Sequence, residues 1–125
     1  MLKVTAVTLP EVANVKVAFT PEGLLLAGSI TAKEPDRSLG TFFRSVHDAA
    51  LADALKALKV DVRGLTFVNS SAIRLFIDWA IWVSQPKRAS YKLSFVRNPA
   101  ITWQRVSFPA IAQLAPEHVT VLDAT

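Results

Sequence analysis

Residues 60–74 read Val60-Asp61-Val62-Arg63-Gly64-Leu65-Thr66-Phe67-Val68-Asn69-Ser70-Ser71-Ala72-Ile73-Arg74, and this stretch decides the fold. Val60-Asp61-Val62 is a short β-branched run that suits a buried strand. Arg63 to Val68 carries the chain on to Asn69-Ser70-Ser71, where small polar residues stand at the start of a helix. Asn69 or Ser70 can accept hydrogen bonds from the amide groups that a first helical turn leaves without partners. From Ser71 to about Ser84 the chain is apolar nearly all round, with Trp79 expected in the core. Its one polar stripe is Arg74, Asp78 and Gln85, near Trp82, and Pro86 ends the helix.

Upstream, Val4-Thr5-Ala6-Val7 and Val15 to Phe19 have strand character, with Pro10 between them. Pro21-Glu22-Gly23 has turn chemistry, and Leu24 to Ile30 reads as a buried strand, so a hairpin is predicted from Val15 to Ile30. Ala32 to Gly40 is a polar loop, and Ser38 or Thr41 is placed to cap a helix starting near Phe42. In that helix Val46, Ala50, Leu51, Ala54, Leu55 and Leu58 recur at helical spacing, with Arg44, His47, Asp48 and Lys56 largely on the other side. Downstream, Tyr91 to Val96 alternates like a half-buried strand. Ser107 ahead of Phe108-Pro109 predicts a short helix to about Leu114, and Val119 to Leu122 a last strand. Helices alternating with strands in the second half imply right-handed crossovers. The expected fold is a single α/β domain over 1–125, with a mixed, parallel-rich sheet and helices packed on it.

Composition narrows the function classes. With 125 residues and 51% apolar content the chain can bury a real core, and having no cysteine it has neither disulfides nor thiolate metal sites. His47 and His118 are far apart, so neither a metal site nor a cofactor is expected. The net charge is +4, but the lysines are scattered and Lys87-Arg88 is the one tight basic cluster, so nucleic-acid binding is not expected. No secretory signal is legible at Met1-Leu2-Lys3, and the apolar run Ala72 to Val83 is short and contains Arg74 and Asp78. A cytoplasmic protein without membrane insertion is the expectation. No nucleophile–base pair stands at motif spacing, and the four glycines are dispersed, so an enzyme is not expected either.

The stretch from Val60 to Arg74 resembles the signature of STAS domains, as found in bacterial anti-sigma factor antagonists. There a strand delivers an Asp-Ser-Ser-Gly motif to the second helix. Leu24-Leu25-Leu26-Ala27-Gly28-Ser29-Ile30 is similar to that family's second strand, and the order of elements from residue 15 onward also agrees. Two positions depart from the pattern: Asn69 replaces the acidic residue and Ala72 the glycine. The Asn-Ser-Ser form with a later Trp103-Gln104-Arg105-Val106-Ser107 run is similar to a bacterial STAS-like subfamily. The resemblance implies a STAS-like α/β fold and a partner-switching module that binds a serine kinase or anti-sigma-like protein. It also implies that Ser70 is the phospho-acceptor, reset by a phosphatase, with Asn69, Ser70 and Ser71 as the switch loop.

Each of these residues also has a plainer reading. Ser70 and Ser71 can be simple helix caps, and Asn69 a loop residue that tolerates a left-handed backbone. Arg74 and Asp78 can be a solvated i, i+4 pair. The sharper reading joins them with Trp82 as a partner-binding face, because Trp and Arg are enriched where interfaces concentrate their energy. His47 reads as an ordinary surface histidine and Trp103 as a packing residue. Three functions follow: a phosphorylation-controlled binding module, a constitutive interaction or homo-oligomerisation module, and a STAS-type accessory subunit handling a small apolar ligand.

Overall fold

A computed structural model describes residues 6–21, 23–31, 38–85 and 91–123. The elements run β1 (Val15–Thr20), β2 (Gly23–Ile30), α1 (Leu39–Ala52), β3 (Ala57–Val68), α2 (Ser70–Ser84), β4 (Lys92–Arg97), α3 (Thr102–Gln113) and β5 (Val119–Asp123). The five strands form one sheet in the order β1-β2-β3-β4-β5. β1 and β2 are an antiparallel hairpin, and every later pairing is parallel. The chain is therefore an α/β protein with a mixed, mostly parallel sheet, and the predicted buried strand through Val60 is β3, at its centre.

Three crossovers step in the same direction across the sheet, and right-handed connections then lay all three helices on one face. α1 packs on α2 and α2 on α3. Beneath them Leu24, Leu26, Leu58, Val60, Val62, Leu93 and Phe95 are buried, every second residue of their strands. Their neighbours Leu25, Lys59, Asp61, Ser94 and Val96 turn to the opposite face and are only half-buried. An aromatic cluster joins the layers. Phe43 stacks on Trp79 at 4.8 Å, Phe76 meets Phe95 edge-on at 5.7 Å, and Phe108 lies 4.8 Å from Phe95. Such contacts add to the area that these rings already bury.

Gly28 has φ 103, and a Cβ there would stand 2.0 Å from the Asn14 carbonyl oxygen. Only glycine suits both the backbone angle and the approach of the segment that enters β1.

Several boundaries differ from the sequence reading. Val4 and Thr5 lie outside the described residues, as do Glu22 and Pro86, while Ala6 and Val7 are not in a strand. Among the described residues the three helices cover a single side of the sheet, so β2 buries Leu24, Leu26 and Ile30 there and leaves Leu25, Ala27 and Ser29 half-buried. α1 ends at Ala52, and Ala54 takes a left-handed backbone at φ 52. Leu58 belongs to β3, where it pairs with Leu93, because Leu58, Val60 and Val62 bury their side chains with a period of two. Ser38 is the first residue of α1's entry but its hydroxyl makes no cap bond, and Thr41 lies inside the helix.

α3 begins at Thr102, so Ser107 is not its cap and Pro109 lies in its interior. An interior proline removes the hydrogen bond to the carbonyl four residues back. That carbonyl, of Arg105, instead receives Arg97 Nη1–H at 3.3 Å, while Arg97 Nε–H donates to Asp123 at 2.6 Å. One arginine of β4 thus ties α3 and β5 and makes the proline tolerable.

Candidate functional site

β3 reaches α2 by an irregular route. Residues 59–68 of β3 lie opposite 23–30 of β2, ten residues against eight, with register shifts after Leu25 and after Gly28. Pairing with β4 stops at Asp61. Two bulges of this kind bend a strand and free backbone groups from the ladder, and bulges often re-aim side chains beside functional sites.

Side chains take up the freed groups. Asp61 accepts the Arg63 backbone N–H at 3.0 Å and the Arg63 guanidinium at 2.7 Å. These hydrogen bonds hold the Asp61 carboxyl below its ordinary range. On the other side, Gln104 Nε2 donates to the Val62 carbonyl at 2.6 Å and the Leu65 carbonyl at 2.9 Å, and its Oε1 accepts the Asn98 N–H at 2.8 Å. Trp103 Nε1 donates to Leu65 at 3.0 Å. The Trp103-Gln104 pair is therefore the clamp that closes β3's open edge. Trp103 does pack, against Phe108 at 5.2 Å, but its indole N–H also serves the strand.

At the end of this strand Asn69 is the cap of α2. Its backbone is extended, and its Oδ1 accepts the Ala72 N–H at 2.9 Å. Its own N–H donates to Ile30 at 3.1 Å, which ties the helix start to the end of β2. Asn69, not Ser70, performs the capping. Ser70 and Ser71 are the first two residues of the helix, both exposed, with no side-chain hydrogen bond among the described residues. We therefore expect Asn69→Ala to cost about 1 kcal/mol in denaturant unfolding. Ser70→Ala should stay within about 0.5 kcal/mol, as for ordinary surface positions. A larger loss for Ser70 than for Asn69 would move the cap.

The predicted docking residues divide. Arg74 is exposed, whereas Asp78 and Trp82 are half-buried toward α1. Arg74 and Asp78 make no ion pair among the described residues, contrary to the expected i, i+4 pair. Asp78 instead joins Gly40, Thr41, Arg44, Ser45, Leu75 and Trp82 in lining an open groove of about 360 Å³ between α1 and α2. The Arg44 guanidinium sits 5.0 Å from the Trp82 ring centre and pairs with Asp48 at 3.3 Å.

His47 is not a surface residue: it is 3% exposed. The signal was in the sequence, since His47 falls four residues after Phe43 and three before Ala50, on the buried stripe. Among the described residues no cluster of three or more His, Asp or Glu is placed to hold a metal, and no helix is long and apolar enough to cross a membrane. No family model, curated protein or solved structure matches the chain.

Proposed function

We propose that the chain is a STAS-like, protein-binding regulatory module in a partner-switching system, with phosphorylation of Ser70 as its control. The observation that carries this reading is the division of labour at the start of α2. Asn69 does the capping, which leaves the Ser70 hydroxyl exposed and unengaged at the positive end of a fifteen-residue helix. A phosphate there adds roughly −2 charge on a surface that a partner would meet as a neutral hydroxyl. Nearby amide groups of the first turn would stabilise it. Ser71 supplies the second hydroxyl of the loop, and the docking face continues along Arg74 to the groove at Asp78 and Trp82. The partners are a serine kinase or anti-sigma-like protein and a phosphatase, met in the cytoplasm, and no catalytic role falls to the module itself.

The test is partner capture with wild type, Ser70→Ala and Ser70→Asp, together with site mapping after incubation with the captured kinase. Ser70→Ala should bind and take up no phosphate, while Ser70→Asp should fold and bind at least about tenfold more weakly, about 1.4 kcal/mol. Arg74→Ala with Asp78→Ala should change stability by no more than about 0.5 kcal/mol yet weaken the same binding. Phosphate on Ser71 would shift the register by one. Normal binding by Ser70→Asp with no phosphate anywhere would leave a constitutive interaction module, which the open groove between α1 and α2 favours as a second reading.

A further inference from the structure

The Trp79 indole N–H donates to the Tyr91 hydroxyl at 2.7 Å, and that hydroxyl stands 2.8 Å from His47 Nδ1. All three residues are 3% exposed or less. The indole nitrogen only donates, so the Tyr91 oxygen accepts there. Among the described residues His47 Nδ1 is the one other group within reach of that hydroxyl, so the arrangement that satisfies the buried hydroxyl hydrogen has Tyr91 donate to His47. Nδ1 must then be bare, and the imidazole neutral with its proton on Nε2. A second proton would set an N–H of the ring against the tyrosine hydroxyl. The hydroxyl hydrogen would lose its acceptor in a buried site, which costs as much as a broken hydrogen bond or more.

The charged neighbours add to this. On α1, Arg44 opposes a positive ring and Asp48, its ion-pair partner, favours one more weakly. From α2 the ring meets Trp82 at 5.9 Å as well as the Trp79 end of the chain, and neither carries charge. The head of β4 contributes Tyr91, whose ionisation burial pushes far above its ordinary range. Burial first and Arg44 second hold the imidazole below its ordinary value of 6.5, with Asp48 opposing.

We propose that His47 is an acid-sensitive latch: uptake of one proton breaks the Trp79–Tyr91–His47 chain and loosens the seam where α1 meets α2 and the head of β4. Arg44 and Trp82 border this seam and also line the groove, so acid reshapes that groove from beneath. The latch stands apart from the docking reading, because the isolated chain suffices to test it.

The unfolded chain binds the proton more readily than the folded one. Stability is therefore full above pH 6.5 and is lost as pH falls from there through the folded pKa. In that window the unfolding constant rises by up to about tenfold per pH unit. The experiment is urea unfolding at about pH 7.5 and about pH 5.5, above the range where carboxylates titrate, with an NMR titration of the imidazole signals. Wild type should lose stability at the lower pH. His47→Asn, whose side-chain oxygen can still accept from Tyr91, should lose little. In Tyr91→Phe the conflict with the hydroxyl is gone, so the His47 titration should move up relative to wild type. This reading holds even if His47→Asn does not fold. A wild-type imidazole titrating at 6.5 or above, an unmoved titration in Tyr91→Phe, or equal acid loss in His47→Asn would overturn the latch.

Discussion

Gln104→Ala should destabilise the chain by about 3–5 kcal/mol in urea unfolding, a large share of the 5–15 kcal/mol typical of a whole domain. The side chain is fully buried and makes three hydrogen bonds, two to carbonyls of β3 and one from the Asn98 amide. Each buried backbone group left without a partner costs about 1–3 kcal/mol. Truncation also opens a cavity in a fully buried site. Gln104→Leu separates the two causes, since it fills much of the space but donates nothing. It should still cost about 2–3 kcal/mol. Trp103→Phe should cost only about 0.5–1.5 kcal/mol, because the Leu65 carbonyl keeps Gln104. If Gln104→Leu costs less than about 1 kcal/mol, the bulged strand does not depend on the clamp.

Trp79→Ala should cost about 4 kcal/mol, within the range for truncating a large buried aromatic. Trp79 is fully buried in α2, stacked on Phe43 at 4.8 Å and edge-on to Phe95 at 6.4 Å, so its removal parts α1 from α2 and α2 from the sheet. Trp79→Phe keeps most of that packing and deletes the N–H that reaches Tyr91. It should cost about 1–2 kcal/mol, the worth of one buried hydrogen bond plus a small void. Equal losses for the two variants, read from urea midpoints, would show that the hydrogen bond and not the packing holds the seam.

Much of the fold was legible in the sequence because local rules and tertiary demand agree there. The hairpin from Val15 to Ile30, the strand through Val60 to Val62 and the helix starting at Ser70 all carry signals that need no distant partner to interpret. A turn with Pro21 and Gly23, β-branched alternation and a polar cap before an apolar run are properties of neighbouring residues. The errors have a common cause. Leu58 fits the helical period of the segment before it and also the strand period of the segment after it, and pairing with Leu93 decides the matter. Ser107-Phe108-Pro109 has the grammar of a helix start, yet Arg97 supplies the bond that lets Pro109 sit inside α3.

At the candidate site the sequence by itself determined which small polar residues meet the start of α2, and that an otherwise apolar helix carries Arg74 and Asp78 one turn apart. Tertiary structure alone decided their roles. Asn69 became the cap because Ile30 anchors its backbone in the geometry that aims Oδ1 at Ala72, which leaves Ser70 exposed. Trp82 lies under Arg44 and Asp78 lines the groove beside it because α1 packs next to α2. Gln104 and His47 gained their partners from strands and loops about forty residues away. A hydrogen bond between distant residues leaves no periodic trace along the chain, since it exists only once packing has brought its two ends within about 3 Å.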